Sequence, residues 1–326
     1  MVLRATIAGC GGYLPERRLS NDELAALHGI QTSDAWIRER TGIGFRHMAA
    51  PGETASDMGA AAARAALAQA GGDASEVDAI LVATSTPDSG FPATAVRIQA
   101  KIGATRGFAF DMAAACTGFI YALGVADSLI RTGAARAVLV IGTEVYSRIL
   151  DWTDRGTCVL FGDGAGAVLL RAEENGGTVH DRGILSCHLH ADGRFGDILH
   201  IDGGAGSTGG AGLLRMAGKE VFRHAVTKLA AVVDEALAAN GLGHGDVRWL
   251  VPHQANARII EAMGRKLNLP KERVVVTVDR HANTSAASIP LALAEARRDG
   301  RIADGDLVVM EAIGGGLTWG AALARF

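Results

Sequence analysis

The sequence predicts a duplicated α/β fold with two mixed, mostly parallel sheets. Three observations carry the prediction. Apolar strand patterns alternate with helical stretches along the whole chain, the second half repeats the element order of the first, and matching strand-to-helix junctions carry similar residues. At 326 residues the chain is long enough for two such halves.

In the first half a helix over Ala55–Gln69 leads to a strand at Ala79–Thr84. A strand at Phe108–Asp111 then runs into Cys116, a helix over Thr117–Arg131 and a strand at Ala137–Gly142. After the turn Phe161–Gly164, where Asp163 reads as structural, a strand at Gly166–Leu170 closes the half. In the second half a helix over Lys219–Asn240 leads to a strand at Trp249–His253. A strand at Val274–Asp279 leads past Asn283 into a helix over Ser285–Arg298, and strands at Asp306–Met310 and Ala321–Arg325 finish it. Gly133 and Gly300 follow the two equivalent helices, as helix C-termini prefer. The polar turn at Glu173–Gly177 divides the halves into residues 1–175 and 176–326, and His180–Met216 reads as a loop-rich excursion before the second repeat begins.

Composition narrows the function classes. Hydrophobic residues make up 48% and charged residues 21%, an ordinary globular balance. Net charge is −3 with no basic block, which gives nucleic acid no electrostatic footing. No window approaches the roughly 20 apolar residues of a membrane span. The opening MVLRATIAGCGGYLPE lacks the apolar core of a signal peptide, and the four cysteines are scattered. A cytoplasmic protein with reduced thiols is expected.

Cys116 stands in DMAAACTGF, where a strand passes through small residues into a helix. Free N–H groups at a helix start favour negative charge, so a lowered thiol pKa is expected there, and the same donors can receive an oxyanion. A packing cysteine is the alternative for this stretch taken alone. His253, in VPHQAN, lies at the C-terminal end of a buried strand, where ligand sites gather in α/β sheets. Asn283, in HANTSAASIP, falls at the position equivalent to Cys116 in the second half, and would also serve as a helix N-cap. A duplicated fold can bring all three together at its pseudo-twofold axis.

With these residues in view, the chain resembles the β-ketoacyl-acyl carrier protein synthase III family of condensing enzymes. The resemblance runs through TSDAWIRERTGI at 32–43, DMAAACTGF at 111–119, DRGTCVLFGDGAGA at 154–167, MAGKEVF at 216–222, VPHQAN at 251–256, HANTSAASIP at 281–290 and EAIGGGLTWG at 311–320. It implies a thiolase-like αβαβα fold in five layers. It also implies that Cys116 takes an acyl group from acyl-CoA, and that malonyl-acyl carrier protein then loses CO2 and attacks the acyl-enzyme. His253 and Asn283 would donate to the thioester oxygen, and the backbone N–H groups of Cys116 and Gly315 would form an oxyanion hole. Trp36, Arg40, Arg155 and Asn256 match CoA-contacting positions. Phe91 matches a gate that reaches across a homodimer into the neighbour's acyl pocket and favours short primers. Arg223, Arg258, Arg265 and Lys266 would dock the acidic carrier protein, with a mixed-charge helix face as the plainer reading. No cofactor beyond the CoA substrate is expected.

Rival readings fare less well. No cysteine follows Cys187, so the second catalytic cysteine of thiolases is missing, and Asn283 replaces the second histidine of elongating enzymes. A starter-unit condensing enzyme of a polyketide or quinolone pathway would share every motif quoted. A non-catalytic acyl-CoA binder would need none of Cys116, His253 and Asn283. His188 and His190 beside Cys187 suggest a metal, but strand neighbours point to opposite faces, so no metal site is expected.

Overall fold

In the computed structural model, which describes residues 1–326, the apolar runs become the strands of two sheets. β1 (Val2–Tyr13) leads to a ribbon of β2 (Arg17–Ser20) and β3 (Phe45–Met48) that brackets α1 (Asn21–His28) and α2 (Asp34–Thr41). Next come α3 (Ala55–Gln69), β4 (Ala79–Ala83), α4 (Thr94–Ile102), β5 (Phe108–Met112) and α5 (Gly118–Arg131). β6 (Ala137–Glu144), the single turn α6 (Arg155–Cys158) and β7 (Gly164–Asn175) complete the first half. The second half contains β8 (Gly183–Ala191), the ribbon of β9 (Leu199–Ile201) and β10 (Leu214–Met216), α7 (Gly218–Ala239) and β11 (Trp249–Pro252). It continues with α8 (Ala257–Lys266), the single turn α9 (Val278–His281), α10 (Ser288–Arg298), β12 (Leu307–Gly314) and β13 (Thr318–Arg325).

Five layers result. α5 and α10 lie between the sheets, where Phe119, Leu123 and Leu293 share one core with Leu81, Val140, Val251 and Val308. On the outer face of the first sheet, Met58 and Leu67 of α3 and Ile98 of α4 pack on Ile80 and Leu139. On the outer face of the second, Leu229 and Val233 of α7 and Met263 of α8 pack on Leu250 and Val309. α3 starts where expected because Thr54 and Asp57 form a reciprocal capping box. No helix is long and apolar enough to cross a membrane.

Four features depart from the sequence reading. The sheets are mixed, but parallel pairs do not predominate. In the order β1-β7-β6-β4-β5, β4 runs parallel to β5 and β6, while β7 is antiparallel to β6 and β1. In β11-β12-β13-β8 only β11–β12 is parallel. The turn between β12 and β13 is far too short for a parallel crossover, so the chain folds back antiparallel.

The excursion at His180–Met216 contains a nine-residue strand, β8, the counterpart of β1. Ser186, His188 and His190 interrupt its apolar pattern, and as an edge strand it tolerates them.

The strand expected at Val274–Asp279 shrinks to one parallel bridge, Leu250 with Val274. Buried Gln254 takes its hydrogen bonds instead: Nε2 donates to Val275 O, and Oε1 accepts from Thr277 N and Val278 N. With the side chain of Gln254 satisfying those groups, the segment turns into α9.

The fourth departure concerns Asn283. Ala115 and Ser285 share a left-handed backbone (φ 46° and 50°), and each begins a 3-10 turn that runs into α5 or α10. The counterpart of Cys116 is therefore Ala286, and Asn283 lies three residues upstream of it. The extra turn α9 shifts the chain relative to the first half. Gly142 lets this junction press onto β6: a Cβ there would lie 2.1 Å from Ala286 O.

Candidate active site

Cys116 is 5% exposed and stands where two cavities meet. One, of about 230 Å³, is lined by Cys116 together with His253, Asn283, Trp36, Arg40 and Asn256. The other, of about 200 Å³, is lined by Cys116 with Ser85, Tyr146, Phe161, Leu199 and Gly315. The first runs from Trp36 toward the sulfur, and the second extends the space beyond it.

Each side chain is held by its local structure. Asn283 bridges to Phe161, giving its N–H to Leu160 O and receiving that of Gly162. Its Oδ1 accepts from Ser285 N at 2.8 Å, which leaves Nδ2, a donor, for the cavity. His253 follows β11, its N–H bonded to Glu311 O at 2.8 Å. Its Nδ1 lies 2.6 Å from Ser288 Oγ, and that oxygen already accepts Gln254 N–H at 3.2 Å. His253 Nδ1 is the only acceptor within hydrogen-bond reach of the Ser288 hydroxyl, which assigns the Ser288 proton to Nδ1 and the imidazole proton to Nε2. Burial lowers the pKa of His253 to about 3, so the ring is neutral at physiological pH. Two neutral N–H donors therefore face the cavity.

Ser288 and its hydrogen bond were not visible as a site feature in the sequence. Ser288→Ala should free His253 Nδ1 and shift the tautomer balance away from Nε2–H, which the 15N chemical shifts of the imidazole would report. Unchanged shifts in the folded variant would contradict the assignment.

The thiol departs from expectation. Burial is the largest influence on Cys116 and pushes its pKa up to about 12, with the neighbouring Glu144 charge acting the same way. Desolvation outweighs the donors at the helix start, so the sulfur rests as the protonated thiol. Gly314 sets the backbone beside it. A Cβ at that position would lie 2.7 Å from Cys116 N and 3.1 Å from Thr117 N. Gly315, next along the turn, makes no backbone hydrogen bond through its own N–H and lines the second cavity.

The remaining sequence-predicted residues divide. The Arg40 and Arg155 guanidinium carbons each lie 4.6 Å from the Trp36 ring centre, an aromatic clasp at the cavity mouth. Asn256 caps α8 by accepting from Arg258 N and donates to Arg40 O, so only part of its hydrogen-bonding capacity is open. Arg258 also holds Glu39 O. Arg223 follows Val221 and Phe222, which line the first cavity, whereas Arg265 and Lys266 sit at the far end of α8, off that lining. Phe91 is 89% exposed and reaches neither cavity of its own chain. Asp163 is structural, accepting from Ala49 N and from both Ser147 N and Oγ. His188 and His190 each contact one oxygen of Glu235.

Comparison with known proteins identifies the family. Residues 110–193 match the 3-oxoacyl-[acyl-carrier-protein (ACP)] synthase III family, and residues 237–326 match its C-terminal part. The β-ketoacyl-[acyl-carrier-protein] synthase III of Acidiphilium cryptum is 68% identical over 323 residues, 99% of both chains. The crystal structure of 3-oxoacyl-[acyl-carrier-protein] synthase III from Aquifex aeolicus superposes with a TM-score of 0.92 at 46% identity, over 99% of this chain and 100% of that one. A priming β-ketosynthase from a polyketide biosynthetic pathway superposes with a TM-score of 0.92 at 37% identity, over 99% and 96%. At 68% identity over 99% of both chains, and with both parts of the family matched, the chain belongs to the β-ketoacyl-[acyl-carrier-protein] synthase III family.

Proposed function

We infer that the protein catalyses decarboxylative Claisen condensation of an acyl-CoA primer with malonyl-acyl carrier protein, giving the β-ketoacyl-acyl carrier protein that initiates fatty acid synthesis. The observation carrying this reading is the meeting of Cys116, His253 and Asn283 on one cavity, with a second cavity beyond the sulfur for an acyl chain.

In this scheme Cys116 attacks the thioester carbonyl, and the N–H groups of Cys116 and Gly315 receive the oxyanion. CoA leaves as the thiolate and takes up a proton. Malonyl-acyl carrier protein then binds, and its carboxylate departs as CO2. His253 Nε2–H and Asn283 Nδ2–H stabilise the enolate oxygen that results. The carbanion attacks the acyl carbonyl, and collapse of the second tetrahedral adduct expels the Cys116 thiolate. CoA enters as a substrate, and no cofactor takes part.

The adenine end of CoA would lie at the clasp of Trp36, Arg40 and Arg155, with Asn256 further in. An acidic carrier protein would dock on Arg223, Arg258, Arg265 and Lys266. Phe91 would find cover in the acyl cavity of a second copy, in a symmetric dimer that leaves two sites per molecule. These assignments suit a cytoplasmic enzyme working on short primers.

A starter-unit role in a polyketide pathway is the second reading, favoured by the likeness to the priming ketosynthase. Intact-mass spectrometry separates the two. An acetyl adduct from acetyl-CoA, discharged by malonyl-acyl carrier protein, is expected. Labelling only by an unusual acyl-CoA would favour the starter-unit role, and no labelling by any acyl-CoA would overturn both.

A further inference from the structure

Tyr146 connects the second cavity to one of the two donors placed for the enolate. It is buried just beyond β6 and forms part of the cavity wall past the Cys116 sulfur. Its ring stacks on Phe161, with centroids 4.9 Å apart and an interplanar angle of 23°. Phe161 lines both cavities and forms the isolated parallel bridge with Asn283. The Tyr146 hydroxyl makes a second link. It accepts a hydrogen bond from Ser285 Oγ at 3.0 Å. Ser285 N–H in turn donates to Asn283 Oδ1 at 2.8 Å.

Ser285 is the point at which the second link can be held or lost. Its φ of 50° is a left-handed conformation that residues other than glycine seldom adopt. A residue in that region persists where its surroundings over-determine it. Here Oγ donates to Tyr146, N–H donates to Asn283 Oδ1, and the carbonyl accepts from Ser288 N. Of these, only the bond to Tyr146 comes from outside the segment 283–288. Without it Ser285 N–H is less firmly placed, and Ser285 N–H is what selects the orientation of the carboxamide. A flipped carboxamide would set Nδ2–H against that N–H and aim Oδ1 at the enolate oxygen, so a donor would become a repelling acceptor.

We propose that Tyr146 is a positioning residue for decarboxylation, holding the Asn283 carboxamide through Ser285 with Nδ2–H toward the enolate oxygen. The second donor does not depend on it in this way. His253 is bonded to Ser288 Oγ and Glu311 O, and neither group bonds to Tyr146. The N–H groups assigned to the acylation oxyanion belong to Cys116 and Gly315, outside this chain of hydrogen bonds. Loss of the Tyr146 hydroxyl therefore bears on enolate formation more than on acylation.

The proposal rests on decarboxylative condensation as the activity. Tyr146→Phe tests it, because it keeps the ring, the stack on Phe161 and the cavity wall and removes only the hydroxyl. Radiolabelled CO2 release from malonyl-acyl carrier protein would be measured beside acetylation of Cys116 by acetyl-CoA. Tyr146→Phe should lower kcat for decarboxylation about fivefold, with KM unchanged, and slow acetylation much less. Ser285→Ala breaks the same bond from its other end and should show the same selective loss. In an Asn283→Ala background, Tyr146→Phe should cause no further loss of decarboxylation. A general structural role would slow decarboxylation in both backgrounds. Undiminished decarboxylation in Tyr146→Phe, equal slowing of both half-reactions, or a further loss in the Asn283→Ala background would overturn the proposal. An unsubstituted protein that neither takes up acetyl groups nor releases CO2 would overturn the functional reading and the proposal with it.

Discussion

Cys116→Ala should leave the protein folded, free of acyl label with any acyl-CoA, and slower in condensation by about 10⁴-fold or more. The sulfur is nearly inaccessible from outside, yet it borders both cavities, so the substitution removes the atom to which the proposed scheme assigns the acyl group between half-reactions. The substitution does not touch the donors placed for the enolate. His253 is fixed by Ser288 and Asn283 by Ser285 N–H, and neither hydrogen bond involves the sulfur. Cys116→Ala should therefore still decarboxylate malonyl-acyl carrier protein to the acetyl form, and Asn283→Ala should do so more slowly. Radiolabelled CO2 release, read beside intact mass, checks both statements. Loss of decarboxylation in the folded Cys116→Ala protein would show that the two donors depend on the nucleophile, contrary to the geometry.

How far the sequence discloses this site depends on whether the information is local. The positions of Cys116 and His253 are local: each follows a strand end and precedes a helix within about a dozen residues. The helix over Ala55–Gln69 begins and ends where expected because its cap is written beside it in Thr54 and Asp57. Long-range effects were hidden. Nothing near Val274–Asp279 signals that Gln254, about twenty residues earlier, will take its hydrogen bonds and turn it out of the sheet. β8 was hidden for a related reason, since an edge strand carries polar residues that break its alternation. The thiol pKa shows the same limit in energetic form. A helix start is visible in DMAAACTGF, but the desolvation that outweighs it arises from segments far along the chain, among them Ile313 and Phe161.

Gly314→Ala should produce the second-largest loss, about 10²-fold in acylation and condensation together, without removing any functional group. The backbone of Gly314 is not in a left-handed conformation, so alanine is tolerated locally and the effect is purely one of space. The new methyl carbon would lie 2.7 Å from Cys116 N and 3.1 Å from Thr117 N, both backbone atoms of a turn already held at positive φ by Ala115. Backbone cannot swing aside as a side chain can, so either the Cys116 turn or the Gly315 turn must shift by several tenths of an ångström. Both carry N–H groups assigned to one oxyanion, and a shift of either spoils their convergence. Overpacking of this kind costs about 1–3 kcal/mol in stability, small enough for a folded variant to be assayed. The signature that separates it from Cys116→Ala is an acyl adduct that still forms, slowly and to full occupancy. A Gly314→Ala protein with undiminished rates would mean that the two turns move freely, and the oxyanion hole would have to be sought elsewhere.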